Sequence, residues 1–97
     1  MTEQSKAAIL KEFTRIPSIG RACALDLWNI GLRSVADLKD QNPAHLYGRL
    51  NAVTGIAHDI CMLYTFRCAV YFATEVAPEP EKLKWWYWKD KRYNEPE

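Results

Sequence analysis

The chain has 97 residues, of which 48% are hydrophobic, 26% charged and 12% aromatic, and its formal net charge is +1. This length holds one domain with its own core, and it excludes two-domain enzymes, dinucleotide-binding folds and repeat arrays. Dedicated nucleic-acid domains are usually far more basic. Any phosphate binding by this chain must therefore come from local geometry.

The first helix is predicted over residues 5–15. Three apolar residues at helical spacing support it, namely Ile9, Phe13 and Ile16. Pro17 ends this helix because the residue before a proline is pushed out of the helical region.

A second helix is predicted over residues 20–30, and it has a clear stop signal. Gly31 stands just after its cap, which places Leu27 and Leu32 in the hydrophobic contact of a Schellman motif. Ala24 lies on its apolar face.

Two further helices are predicted in the middle of the chain. Ser34 caps a short third helix over residues 35–39. Asn42 followed by Pro43 begins a fourth helix as N-cap and first helical residue, and Gly55 ends it. The predicted buried stripe of the fourth helix is Leu46, Tyr47, Leu50 and Val53.

The fifth helix, predicted over residues 57–75, is apolar nearly all round, which is typical of a helix surrounded by others. We expect it to be the central core helix, with a subunit interface along one side as the alternative. Arg67 lies inside it. Its guanidinium is expected either to pair with a carboxylate such as Asp26 or Asp37 or to emerge at the surface.

The sequence divides into a helical domain, residues 1–77, and a Pro-linked extension, residues 78–97. The extension contains Trp85-Trp86-Tyr87-Trp88 among several lysines. One interpretation is a short helix over residues 83–88 that packs on the domain through two or more tryptophans. The alternative is stacking on the bases of single-stranded nucleic acid.

Three cysteines, Cys23, Cys61 and Cys68, without a Cys-x-x-Cys motif or a signal peptide, predict reduced thiols and a cytoplasmic protein. On one helix, residues 61 and 68 would be about 10.5 Å apart along the axis. This distance is too long for a disulfide, which needs Cα atoms within roughly 7 Å. The longest apolar run, residues 60–66, is too short to cross a bilayer. We expect no metal, cofactor, membrane or small-molecule substrate.

The most informative segment is the first hairpin, residues 16–24, which reads Ile-Pro-Ser-Ile-Gly-Arg-Ala-Cys-Ala between two helices. It resembles the turn of a helix-hairpin-helix motif. In that motif a glycine-rich turn approaches a phosphate closely, and the next helix directs unpaired N–H groups at the anion. The candidate phosphate site comprises Arg15, Ser18, Ile19, Gly20, Arg21 and Ala22. The alternative is a plain tight turn, since Ser18 stands where the motif has its first glycine.

A second hairpin, residues 53–58, is a weaker copy of this pattern. Its candidate site residues are Gly55, Ile56, Ala57 and His58. Ala57 replaces the second glycine of the motif, and Asp59 at its mouth would repel phosphate. A purely structural role is therefore the alternative for the second hairpin.

The order of hairpin, connector and hairpin resembles a tandem helix-hairpin-helix domain. The whole chain also resembles a small bacterial family labelled pathogenicity-locus or mitomycin-resistance protein. That resemblance covers about residues 9–91, through the segments at residues 16–20, 32–38, 63–72 and 83–90. It implies an all-α, five-helix, SAM-like domain with a Trp-rich helical extension.

No catalytic constellation is apparent in the sequence. Asp40 has the glycosylase-like spacing from Gly20, but it lies in a polar linker, and the chain is too short to enclose a flipped base. The predicted function is weak, sequence-independent DNA binding without catalysis, linked to DNA repair or mitomycin resistance. The alternative is a protein-interaction module that kept the fold and lost the DNA.

Overall fold

A computed structural model describes residues 5–95, and this part of the chain is all-α, as predicted. Its four α-helices are α1 (Lys6–Phe13), α2 (Arg21–Asn29), α3 (Pro43–Thr54) and α4 (Cys61–Thr74). Three short 3₁₀ turns complete it, at Val35–Leu38, Pro80–Leu83 and Trp85–Trp88. The predicted third helix is thus a single 3₁₀ turn, capped by the Ser34 hydroxyl as expected.

The predicted stop of α2 is confirmed as a Schellman motif. The Leu32 N–H donates to the Leu27 carbonyl at 3.1 Å, and the Gly31 N–H donates to the Trp28 carbonyl at 3.0 Å. Gly31 has a φ of +100°, which an L side chain rarely adopts. The start of α3 is also fixed by neighbouring residues. The Asn42 side chain accepts N–H groups of the first turn, and Pro43 takes the first helical position.

Helix α4 is the centre of the fold, as its apolar composition predicts. Its residues from Thr65 to Tyr71 are all buried. It packs against α3, the Val35–Leu38 turn and both turns of the extension, whereas α1 packs on α2 and α2 on α3. The fully buried members of the shared core include Phe13, Ile16, Ala24, Leu27, Leu38, Leu50, Phe66 and Val70.

Helix α4 starts four residues later than predicted, at Cys61 rather than Ala57. The reason is local capping, because Asp59 Oδ1 accepts the Cys61 N–H at 2.8 Å. Val53, predicted to be buried, is 60% exposed, and Ile60 is 48% exposed.

The extension packs on α4 through a second apolar cluster, whose buried members are Cys68, Tyr71 and Trp88. The indole N–H of Trp88 donates to the Lys82 carbonyl at 2.8 Å. Burial of two or more tryptophans was expected, but only Trp88 is buried. Trp85 is half-buried and Trp86 is 57% exposed. The segment folds as two separate 3₁₀ turns and not as one helix over residues 83–88.

Arg67 is buried and pairs with neither carboxylate proposed from the sequence. Its Nε donates to Glu95 Oε1 at 2.6 Å and its Nη2 to Glu95 Oε2 at 3.0 Å. Its Nη1 donates to the Trp88 carbonyl at 2.9 Å. This arginine therefore joins α4 to the end of the extension. Across residues 5–95, no helix is both long and apolar enough to cross a membrane.

Candidate functional site

The first hairpin is anchored in the core by two isoleucines. Ile16 is completely buried and Ile19 nearly so. The Ile19 N–H donates to the Ile16 carbonyl at 2.9 Å, which closes the turn. The Ile19 amide is therefore not available to a phosphate, and this predicted site residue instead positions the turn.

The amino terminus of α2 differs from that of the other helices. Gly20 is its N-cap and supplies no side chain, and the first backbone hydrogen bond is from the Ala24 N–H to the Gly20 carbonyl at 2.9 Å. The N–H groups of Arg21, Ala22 and Cys23 have no acceptor within residues 5–95. By contrast, the side chains of Ser5, Asn42 and Asp59 occupy the starts of α1, α3 and α4.

Neither the backbone nor the packing requires glycine at position 20. Its φ is −92°, a value available to any residue, and a Cβ placed there would meet no atom within 4 Å. A glycine at this position leaves open space over the unpaired amides of α2. Gly20, Arg21 and Ala22 are all exposed, so these three predicted site residues lie together at the surface.

Ser18 does not face that open space. Its hydroxyl donates to the Leu83 carbonyl at 3.1 Å and lies 2.8 Å from Cys68 Sγ. The side chain that replaces the motif's first glycine thus connects the first hairpin to the C-terminal extension. The backbone at Ser18 does not have a positive φ, so the serine is accommodated without strain.

Three cations line two grooves beside α1, one of which reaches Arg21 at the start of α2. Arg15 and Arg21 were predicted from the sequence, and the structure adds Lys11. A groove of about 310 Å³ is lined by Lys11, Arg21 and apolar parts of α1. A second shallow groove, of about 370 Å³, is lined by Lys11, Arg15 and the carboxylate-bearing Glu12. The sequence feature that could have identified Lys11 is its position four residues before Arg15, close to one turn of helix.

These grooves carry net positive charge in a protein whose overall charge is close to zero. Lys11, Arg15 and Arg21 form no ion pair within the described chain, although Glu12 reduces the local potential. The arrangement can attract an anion toward the unpaired amides, because a helix start carries partial positive charge.

The second hairpin is closed by its own side chains. Gly55 has a φ of +69° and ends α3 in the left-handed conformation. The His58 N–H donates to Asn51 Oδ1 at 2.9 Å, and the Tyr47 hydroxyl donates to the His58 carbonyl. Ile56 and Ala57 are exposed. The four predicted residues of this hairpin lie together but present no unpaired helix start.

Asp59 occupies the anion position at the start of α4. Hydrogen bonds from the Cys61 amide and the Cys61 thiol lower the pKa of the Asp59 carboxyl below its ordinary value. The carboxylate is therefore ionised at neutral pH, and it would compete with and repel a phosphate at this helix.

The thiols and histidines form no evident reactive centre. The cysteines are free, and burial raises the pKa of the Cys23 and Cys68 thiols. His58 Nε2 lies 3.0 Å from Thr54 Oγ1, but the Thr54 hydroxyl donates to the Leu50 carbonyl at 2.8 Å. Within residues 5–95, no three His, Cys, Asp or Glu side chains form a metal-binding group.

Comparison with known proteins is informative at the level of the family. A family model described as "Pathogenicity locus" matches residues 6–94. The chain is also 32% identical, over 81 residues, to a protein of Streptomyces lavendulae named mitomycin resistance protein McrB. That match covers 84% of this chain and 73% of the relative. No solved structure matches the chain significantly.

Proposed function

Because the chain belongs to the pathogenicity-locus family, we propose that it is a small, non-catalytic DNA-binding protein of the bacterial cytoplasm that contributes to resistance to mitomycin. In this proposal residues 16–24 act as a helix-hairpin-helix turn. A phosphate oxygen accepts hydrogen bonds from the amides at the start of α2. Arg15, Arg21 and Lys11 supply the neighbouring positive charge. The contact is to the backbone of DNA and carries no sequence information.

One observation supports this most directly. Among the four α-helices of the described chain, α2 is the one at whose start no side chain accepts a backbone N–H, and it begins at an exposed glycine with open space above it. A glycine N-cap costs only about a few tenths of a kcal/mol relative to a capping side chain. The amides at the start of α2 can therefore be left open to a ligand anion with little loss of stability.

The two hairpins are expected to contribute unequally. The start of α4 already holds the Asp59 carboxylate, and Ile56 and Ala57 bring no charge. The first hairpin therefore supplies the phosphate contacts in this proposal, and the second is structural. With two to four phosphates neutralised, the slope of log affinity against log salt concentration is roughly −2 to −4.

The proposal is tested with Gly20→Glu and a matched control, Gly48→Glu. Both glycines are exposed, and a Cβ at either one meets nothing within 4 Å. The two variants therefore add the same charge at equally tolerant positions. We expect Gly20→Glu to abolish binding to a labelled duplex in a fluorescence anisotropy titration, and Gly48→Glu to retain it. Equal binding by the two variants, with unchanged helical circular dichroism, would rule out the first hairpin as the site.

The cellular part of the proposal needs a separate measurement. Expression of the protein in a mitomycin-sensitive bacterium is expected to raise survival in mitomycin. The Gly20→Glu variant, expressed to the same level, is expected to give no protection. Equal protection by the wild type and by Gly20→Glu would show that resistance does not depend on DNA contact at this hairpin.

A second candidate function rests on a different surface. The exposed apolar side chains of Val53, Ile56 and Ile60 lie at the second hairpin, with exposed fractions of 48–60%. A protein-interaction module would use such a patch. Replacing Ile56 and Ile60 by serine would then remove resistance without changing DNA affinity, whereas Gly20→Glu is expected to remove both.

A further inference from the structure

We propose that Trp86 is a stacking platform for an unpaired base, so that the preferred ligand is DNA with a single-stranded segment beside the phosphate held at the first hairpin. This inference deepens the proposed function and rests on it for the phosphate contact. The stacking contact itself rests on the C-terminal extension alone and can be tested separately.

Trp86 differs from the other tryptophans in what surrounds it. Trp88 is buried with its N–H bonded, and Trp28 lies against the Arg33 guanidinium, 3.6 Å from the ring centroid. Trp86 is 57% exposed, and its one ring contact is with Trp85, at 5.7 Å and an interplanar angle of 90°. Its indole N–H has no acceptor within residues 5–95. An indole held on a packed turn and left open to solvent offers a preformed surface for stacking.

The turn that presents Trp86 is rigidly placed. Trp88, two residues later, is buried against Tyr71 with ring centroids 5.2 Å apart. The Tyr87 N–H donates to the Lys84 carbonyl at 3.0 Å, and the Lys89 N–H donates to the Trp86 carbonyl at 3.3 Å. The backbone that carries the exposed ring therefore does not have to be ordered when a base binds, which favours affinity.

The extension also brings Trp86 close to the first hairpin. The Leu83 carbonyl is bonded to Ser18 Oγ, and Trp86 follows Leu83 by three residues. A chain of three residues spans at most about 10 Å. The backbone that carries the exposed ring is thus a close neighbour of the first hairpin.

The charges around the ring suit a nucleic-acid strand. Lys84, Lys89 and Lys91 are exposed on the same short segment. Lys84 has a distant ion pair with Glu81 at 3.5 Å, whereas Lys89 and Lys91 form no ion pair in residues 5–95. Asp90 is the one carboxylate among residues 84–91, and these three lysines outnumber it. Aromatic stacking combined with excess positive charge is the combination that single-strand binding proteins use.

The test uses the full chain with two probes, a labelled oligothymidine and a fully paired duplex of the same length. The variants are Trp86→Ala, Trp86→Phe and Val53→Ala, the last a matched control because Val53 is 60% exposed. Loss of one stacked base weakens binding roughly 5- to 150-fold. We expect a loss in this range for Trp86→Ala on oligothymidine, little change on the duplex, and most of the affinity restored by Trp86→Phe.

The outcomes separate the two proposals. Equal affinity of Trp86→Ala and Val53→Ala for oligothymidine overturns the stacking role, whatever the duplex result. A fall for Trp86→Ala on both probes also overturns it, because the ring would then act on duplex DNA as well. If Gly20→Glu retains duplex binding while Trp86→Ala loses oligothymidine binding, the hairpin site fails and the stacking contact stands. If the wild-type chain binds neither oligothymidine nor the duplex, both proposals are overturned.

Discussion

The hydroxyl of Ser18 donates a hydrogen bond to the carbonyl of Leu83, 65 residues further along the chain, at 3.1 Å. Ser18 is thereby a junction between the first hairpin and the C-terminal extension, with the Cys68 thiol of α4 as the third member. A residue that departs from the helix-hairpin-helix pattern is thus explained by the packing of the extension. Glycine at this position could not make the contact.

Removing this junction is expected to destabilise the protein modestly. A typical hydrogen bond contributes about 1 kcal/mol, and Ser18→Ala should lower the free energy of unfolding by roughly that amount. Urea denaturation followed by circular dichroism measures it. Ser18→Gly should cost at least as much, since it also loses the hydroxyl. A variant as stable as the wild type would show that the extension does not depend on this bond.

Loss of the Glu95 carboxylate is expected to cost far more than loss of a surface carboxylate. The Arg67 and Glu95 side chains are 9% and 6% exposed, and breaking a buried ion pair costs about 3–5 kcal/mol because the remaining charge has no partner. Glu81→Ala is the control, since its side chain is 80% exposed and surface pairs contribute about 0–1 kcal/mol. Chemical denaturation should therefore give a clearly lower midpoint for Glu95→Ala than for Glu81→Ala. Similar midpoints would show that the Arg67 guanidinium is solvated without Glu95.

The tryptophans of the extension should differ sharply in their contribution to stability. Trp88→Ala removes a buried ring and is expected to cost about 3–5 kcal/mol, whereas Trp86→Ala should stay within about 0.5 kcal/mol. Truncation after Ala77 should lower stability at least as much as Trp88→Ala. Thermal melts of the three proteins test this. Full-length and truncated chains that melt together would show that the extension does not stabilise the domain.

The capping carboxylate of Asp59 should make the free energy of unfolding depend on pH under acidic conditions. The pKa of Asp59 is lowered in the folded state, so its contribution to stability is complete above the unfolded value, which is about 3.8. The contribution is lost as the pH falls through the lower folded pKa. Asp59→Asn should therefore be less stable than the wild type at neutral pH and lose less stability below about pH 4. Parallel pH profiles for the two proteins would contradict this role.

Local features of the fold were predictable from the sequence. The caps at Ser34 and Asn42 and the Schellman stop at Gly31 depend on residues within six positions of each other. The all-α class follows from helical periodicity along the chain, and the central place of α4 from its apolar composition. In the candidate site, the exposed positions of Arg15, Gly20, Arg21 and Ala22 follow from the same local pattern, because the turn buries Ile16 and Ile19.

Tertiary structure alone decided which distant groups meet. Composition could not select Glu95, 28 residues away, as the partner of Arg67, nor direct Ser18 toward Leu83. It could not distinguish buried Trp88 from exposed Trp86, since both occur in one aromatic run. The physical reason is that caps and turns are set by bonds between near neighbours. Burial and ion pairing depend on which surfaces the folded chain brings together, and many partners of equal chemistry are available in the sequence.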